Sequence, residues 1–452
     1  MATRASALDG WLGVEAVRDA RERTRDLVRH TPVLTSRSLS DECGGTVLLK
    51  AENLQRTGSF KLRGALAKVD RIAAGGGGDG PGGGEERGAS PARASVVAGS
   101  AGNHAQSLAY AARARGLACE VFMPAEASLA KVAAVRGFGG TVRLGGDSVD
   151  DCVARARERA RDTGAVFVHP FDDPEIVAGQ ATLGLELLDD VDDIATVVVP
   201  VGGGGLISGV AGAVKAARPG VRVIGVQAEA CSAYPASIER GEPVEIPGGP
   251  TIADGIAIKR PGGVTLPLVR EWVDDLVVVA ENDVAEAMVV LLERAKLVVE
   301  GAGAVGVAAL LSGAILPAQR GSTVVVLSGG NVDAGVLATV ALRHETAEGR
   351  RLRFFTRVED RPGGLARLLT RIAEAGGNLV TVTHVREAVP LHLRQTGVDL
   401  LLETRGADHA AEIVAALERA GYGVELPTEG VVGRPAATGA DRLEPPIPGR
   451  SA

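Results

Sequence analysis

The sequence predicts an α/β protein with a separate βαββαβ unit near its C-terminal end, and three observations carry that prediction. Short apolar runs bounded by glycines, at residues 95–98, 118–123, 195–201, 221–227 and 322–327, have the length of buried, mainly parallel strands. Longer segments at 105–115, 129–137, 149–163, 206–217 and 283–297 have the length and composition of crossover helices. From Arg350 the order changes to strand 352–358, helix 364–375, strand 379–385, strand 397–404, helix 407–420 and strand 423–426. Ligands of such sheets sit at the carboxyl ends of strands, so the strand-to-helix junctions are where chemistry is sought.

In the C-terminal unit, Leu365, Leu368, Leu369 and Ile372 recur at helical spacing, as do Ala410, Ile413, Val414 and Leu417. Each helix therefore has one apolar face for one side of a four-stranded sheet. Residues 75–84 are a glycine-rich insert expected to be a flexible surface loop, and the proline-rich stretch 429–452 is expected to be a disordered tail. The expected division is a catalytic domain over 1–345 and a smaller domain over 350–428.

Composition narrows the function classes. The 452 residues carry 49 Lys and Arg against 56 Asp and Glu, a net charge of -7 without a long block of one sign, so neither nucleic acid nor a membrane is an expected partner. Sixty-one glycines (Gly 61) beside 2 Trp, 3 Tyr and 7 Phe imply tight turns and a small-residue core. Cys43, Cys119, Cys152 and Cys231 form no Cys-x-x-Cys pair, which fits reduced thiols in the cytoplasm and not a disulfide framework or zinc site. Residues 1–29 lack an apolar core and do not resemble a signal or transit peptide. The uncharged stretches around 194–214 and 301–319 contain Pro200 or are mostly Gly and Ala, and are read as buried elements instead of membrane spans.

Four junctions carry the candidate chemistry. Gly202-Gly203-Gly204-Gly205-Leu206 follows an apolar strand and opens a helix, a geometry that exposes backbone N–H groups toward a phosphate. A dinucleotide-dependent dehydrogenase is the rival reading, with Glu229 as its acidic residue, but Ser208 stands where the third glycine of that fingerprint is required. No nucleotide loop of the Gly-x-x-x-x-Gly-Lys-Ser/Thr kind occurs, so the phosphate belongs to a smaller cofactor. The other junctions are Ser59-Phe60-Lys61-Leu62-Arg63-Gly64-Ala65, Ser100-Ala101-Gly102-Asn103-His104 and Ser328-Gly329-Gly330-Asn331.

Together these motifs resemble the threonine dehydratases (threonine ammonia-lyases) of the pyridoxal-phosphate-dependent fold type II family, over about residues 12–343. His30-Thr31-Pro32 and Thr251-Ile252-Ala253-Asp254-Gly255 are supporting matches, and Asp360-Arg361-Pro362-Gly363-Gly364-Leu365 resembles the opening of an ACT-type regulatory domain. The resemblance implies two open twisted sheets with helices on both faces and pyridoxal 5'-phosphate as cofactor. It implies β-elimination of L-threonine to 2-oxobutanoate and ammonia, with a serine racemase or serine-preferring dehydratase as the alternative.

By the same resemblance Lys61 is the Schiff-base lysine and afterwards the base that takes the α-proton. Gly202, Gly203, Gly204, Gly205 and Leu206 cradle the phosphate, Asn103 meets the ring hydroxyl, Ser328 meets the ring nitrogen and Phe60 packs beside the ring. Ser100, Ala101, Gly102 and His104 lie on the turn that receives the substrate carboxylate. No metal site is expected, because Pro235 stands where some relatives have a cation-binding aspartate, and Glu300 is read as structural. An amino-acid effector at the ACT-like domain, near Gly376, Gly377 and Asn378, and a homodimer or homotetramer complete the expectations.

Overall fold

The computed structural model describes residues 12–75, 95–386 and 394–427. All of the expected surface loop at 75–84 except Gly75, and the expected tail at 429–452, lie outside these residues. The chain divides into two compact units, Met1–Val340 and Ala341–Ala452.

Among its described residues the first unit holds ten strands: β1 (Val33–Thr35), β2 (Val47–Ala51), β3 (Ser95–Gly99), β4 (Ala118–Met123), β5 (Thr141–Leu144), β6 (Val166–Phe167), β7 (Ile194–Pro200), β8 (Arg222–Ala228), β9 (Asp275–Val279) and β10 (Ser322–Leu327). They form a six-stranded sheet in the order β1-β2-β10-β7-β8-β9 and a four-stranded sheet in the order β5-β4-β3-β6. Every pairing is parallel except β1 with β2. Strands buried on both faces need apolar side chains at every position, which is why they read as continuous runs. Val198 and Val325 enter the core on one face of the larger sheet, while Val197, Val199, Val324 and Val326 enter the core on the other. In the smaller sheet Val96, Ala98 and Val121 face one cluster, and Val97 and Phe122 face another.

Two helices begin and end where the sequence places them. Leu129–Gly137 starts at Ser128, whose side chain accepts from the Lys131 N–H, and Val149–Thr163 starts at a reciprocal capping box between Ser148 and Asp151. The helix expected over 283–297 differs. It runs Glu281–Val290, widens into a π-turn over Leu291–Ala295 and stops at Lys296, which adopts a left-handed φ of 59°. The Leu297 N–H then bonds back to the Leu291 carbonyl, closing a terminus that the apolar spacing does not announce.

Small residues permit close helix packing. A Cβ on Gly179, in helix Pro174–Asp190, would lie 2.6 Å from Gly64 Cα in helix Lys61–Ala73, so these backbones are in direct contact. A Cβ on Gly212, in helix Gly205–Ala217, would meet Trp272 Cζ3 at 2.7 Å; this ring comes from helix Thr265–Trp272.

The second unit contains β11 (Arg351–Glu359), helix Gly364–Glu374, β12 (Asn378–Val385), β13 (Gln395–Glu403) and helix Ala407–Arg419. Among the described residues its antiparallel sheet has three strands in the order β11-β13-β12, not the expected four. The segment 423–426 makes a single bridge, Glu425 to Phe355, with both N–H···O distances at 2.8 Å. The next ladder position falls on Pro427, which has no N–H to donate. Leu368, Ile372, Ile413 and Leu417 bury the predicted helix faces against Phe354, Val398, Leu400 and Leu402. Gly376 ends its helix at φ 81°, and a Cβ on Gly377 would meet Ile372, Ile413 and Leu402, so both glycines have structural reasons. Among the described residues no helix is long and apolar enough to cross a membrane.

Candidate active site

Four strand ends supply the site. β2 leads through residues 52–60 into the helix that starts at Lys61, β3 leads through the Ser100 turn to Asn103, β7 leads into the glycine loop, and β10 leads to Ser328. The first and last are fastened directly: Phe60 N–H donates to the Ser328 carbonyl (3.0 Å), Gly330 N–H to the Gly58 carbonyl (2.9 Å), and Ser59 bridges Gly329. Asn331 Nδ2 joins a third junction, donating to Asn103 Oδ1 (2.7 Å) and to the Thr57 carbonyl (2.8 Å). The glycine loop joins through residues 170–171. Lys61 Nζ donates to the Pro170 carbonyl at 2.9 Å, and Phe171 packs where a Cβ on Gly203 would collide with its ring.

Lys61 is half-buried at the start of its helix, with Nζ 5.2 Å from the Phe60 ring centre. Burial lowers its amine to about 8, an effect opposed by the negative charge of Glu300. Since only the neutral amine attacks a carbonyl, cofactor uptake by cofactor-free protein is expected to rise about tenfold per pH unit up to roughly 8 and then level off. Stopped-flow absorbance against pH measures this; a rate still climbing above pH 10 contradicts the assignment.

His104 is buried, with Nε2 donating to the Val168 carbonyl at 3.0 Å. Burial and the nearby Lys61 charge push it down to about 3, so its ring is neutral and committed to that carbonyl. Ser100 Oγ accepts from the Gly102 N–H at 3.3 Å, shaping the turn that leads into helix Asn103–Ala114. Ser328 is buried, and its Oγ has only a 3.5 Å contact to the Ala302 carbonyl. Leu206 buries its side chain in the core, and Gly204 adopts a left-handed φ of 94° at the mouth of helix Gly205–Ala217.

Glu300, read from the sequence as structural, stands directly behind Asn103. It is buried, and its Oε1 accepts from Asn103 Nδ2 at 2.6 Å. Burial, with the Asp254 charge adding to it, raises its carboxyl to about 7. The available signal was a lone acidic residue opening a long Gly/Ala helix. Glu229, by contrast, is exposed, and among the described residues no group of three or more His, Cys, Asp or Glu is arranged to hold a metal ion.

Behind Lys61 lies a buried ionic cluster. Arg63 uses all five N–H donors: Nε and Nη2 to Glu52, Nη1 and Nη2 to Glu186, and Nη1 also to Thr182, at 2.8–3.3 Å. Lys50 Nζ completes it, 3.0 Å from Glu186, 2.8 Å from Asp190 and 2.7 Å from the Thr31 carbonyl. Burial works against the Glu186 charge, yet Arg63 and Lys50 outweigh it and hold that carboxyl well below its ordinary range. This cluster ties β2, the Lys61 helix and helix Pro174–Asp190 together.

A lysine amine lowered by burial, a glycine loop and polar strand ends brought together are the parts that an enzyme using a carbonyl cofactor requires. The chain matches the pyridoxal-phosphate dependent enzymes over residues 24–329 and belongs to that family. It is 43% identical over 415 residues to an L-threonine ammonia-lyase of Geobacter sulfurreducens, covering 91% of this chain and 98% of that one. It is also 43% identical over 413 residues to an L-threonine ammonia-lyase of Thermotoga maritima, covering 91% and 99% respectively. Among solved structures, a threonine deaminase from T.th. aligns with a TM-score of 0.63 and 39% identity over 71% of this chain and 98% of that chain. Maize serine racemase aligns with a TM-score of 0.65 and 32% identity over 74% and 98%.

The residues present fit pyridoxal phosphate. The loop at 202–205 has no side chains of its own, and a Cβ on Gly203 or Gly204 would collide with Phe171 or Tyr234, so the chain can offer a phosphate only backbone N–H groups there. Beside Lys61, the buried Ser59 Oγ has no hydrogen-bond partner among the described residues, and Ser328 Oγ has there only the 3.5 Å contact to the Ala302 carbonyl.

Proposed function

We propose that the protein is an ammonia-lyase that converts L-threonine to 2-oxobutanoate and ammonia, and L-serine to the corresponding 2-oxo acid. The observation that carries the reading is the lowered Lys61 amine at the meeting point of four strand ends, in a chain whose relatives at 43% identity are L-threonine ammonia-lyases.

Bound pyridoxal phosphate supplies an electron-withdrawing ring conjugated to the substrate nitrogen, which acidifies the α-C–H bond. The backbone N–H groups of Gly202, Gly203, Gly204, Gly205 and Leu206, with the positive end of their helix, would hold the phosphate. Asn103 would meet the ring hydroxyl, and Ser328 Oγ, a neutral hydroxyl, would meet the ring nitrogen and leave it largely unprotonated. Phe60 would pack beside the ring. The turn of Ser100, Ala101, Gly102 and His104 receives the substrate carboxylate through its backbone, while the His104 ring anchors the turn to Val168.

Lys61 Nζ takes the α-proton, and the Pro170 carbonyl gives the amine a fixed place 2.9 Å away. Glu300, raised to about 7, keeps a proton available beside Asn103 near neutral pH. The β-hydroxyl leaves as water and one water is taken up on release, so L-threonine yields 2-oxobutanoate and ammonium.

The C-terminal unit is proposed to be an ACT-like regulatory domain that binds an amino-acid effector near Gly376, Gly377 and Asn378. The proposed setting is a cytoplasmic homodimer or homotetramer. One experiment tests the function: the visible spectrum of the purified protein, followed by addition of L-threonine, L-serine or D-serine and assay of 2-oxo acid. A cofactor band with 2-oxobutanoate accumulating from L-threonine is expected. Interconversion of L- and D-serine without 2-oxo acid would replace the lyase by a racemase. Repeating the assay with individual amino acids present is expected to shift the threonine saturation curve.

A further inference from the structure

The glycine loop is held from behind by two hydroxyls that no part of the proposed reaction uses. Thr265 Oγ1 donates to the Gly203 carbonyl at 2.7 Å. Tyr234 Oη lies 3.1 Å from the same carbonyl and 3.1 Å from Thr265 Oγ1. Both residues are fully buried. A carbonyl oxygen has two lone pairs, and here both have a hydroxyl within reach.

Each hydroxyl is itself fixed by a separate element. The Tyr234 N–H donates to Gln227 Oε1 at 3.2 Å, anchoring helix Ala233–Arg240 to the end of β8. Asp172 accepts the N–H groups of Gly263 (2.9 Å), Val264 (2.8 Å) and Thr265 (3.3 Å), which sets the first turn of helix Thr265–Trp272. Burial raises the Tyr234 hydroxyl above its ordinary value, so it stays protonated and able to donate.

A trans peptide points its C=O and N–H in opposite directions. Holding the Gly203 carbonyl inward therefore turns the Gly204 N–H outward, and the left-handed φ of 94° at Gly204 carries the chain into the helix that follows. Only glycine tolerates that position, since a Cβ on Gly204 would collide with Tyr234 Oη. Phe171 closes the other side, 3.0 Å from where a Cβ on Gly205 would stand.

We propose that Tyr234 and Thr265 are positioning residues for cofactor binding: their hydroxyls converge on the Gly203 carbonyl and fix the loop so that its N–H groups face the phosphate. The inference rests on the cofactor reading above. It distinguishes the phosphate end of the cofactor from the aldehyde end, which depends on Lys61.

The test compares binding of pyridoxal 5'-phosphate and of pyridoxal, which lacks the phosphate, to the full-length cofactor-free protein. Tyr234→Phe and Thr265→Val are each expected to weaken pyridoxal 5'-phosphate about tenfold and to leave pyridoxal unchanged, while Thr265→Ser, which keeps the hydroxyl, binds both like wild type. The double variant is expected to lose more than either single variant, for the phosphorylated ligand alone, but not the product of the two losses, because the hydroxyls touch each other and share one acceptor. Equal losses for both ligands would mean a general structural role and overturn the proposal, as would unchanged binding of the phosphorylated ligand in both single variants. Wild-type protein that binds neither ligand would overturn the cofactor reading itself, a separate outcome.

Discussion

Lys61→Ala is expected to cut 2-oxo acid formation by about 10⁴-fold or more and to abolish the visible cofactor band, because it removes both the covalent anchor and the base. The fold should survive, since Lys61 opens its helix and, among the described residues, its side chain hydrogen-bonds to the Pro170 carbonyl alone. Thermal unfolding near the wild-type midpoint, together with lost turnover, identifies a chemical defect. Added alkylamines should restore part of the proton transfer if the amine is the missing base. A Lys61→Ala enzyme with wild-type turnover would leave the catalytic assignment without support.

Arg63→Met is expected to destabilise the first unit by about 3–5 kcal/mol, because removing one partner of a buried ionic cluster strands the others. Glu52 loses two charge-assisted bonds and keeps the Thr31 hydroxyl, whereas Glu186 still has Lys50. The imbalance makes a second expectation: Arg63→Met combined with Glu52→Gln recovers a substantial part of the loss, read by denaturant unfolding of the four proteins in the cycle. Arg63→Lys should be intermediate, since an ammonium cannot reproduce the planar fork that engages two carboxylates at once. A loss below about 1 kcal/mol for Arg63→Met would show that the cluster has rearranged around the gap. Because Arg63 lies two residues past Lys61, the same variant should also perturb the cofactor band.

Much of this architecture is legible in local sequence because its causes are local. Helices Leu129–Gly137 and Val149–Thr163 begin at Ser128 and Ser148, whose side chains satisfy free N–H groups, and the strands are apolar runs because both faces are covered. The contact that Glu300 makes with the site was not legible, for the opposite reason. Its meaning depends on Asn103, 197 residues away, and on a burial that raises its carboxyl, neither of which leaves a mark in its neighbours. Likewise nothing local couples Lys50 and Arg63 to Glu186 more than a hundred residues later. The π-turn at Leu291–Ala295 and the fourth strand reduced to a bridge at Glu425 are also settled by contacts: a backward bond from Leu297 in one case, and a proline at the next ladder position in the other.

The glycine-for-tryptophan exchange of space at Gly212 and Trp272 gives the molecule a built-in optical reporter. The sequence contains only 2 Trp, and this indole sits 3% exposed at the far end of the helix that Thr265 begins. It presses on the helix that the phosphate loop opens. Its emission is therefore expected to report whether those two helices are docked, without attaching a dye.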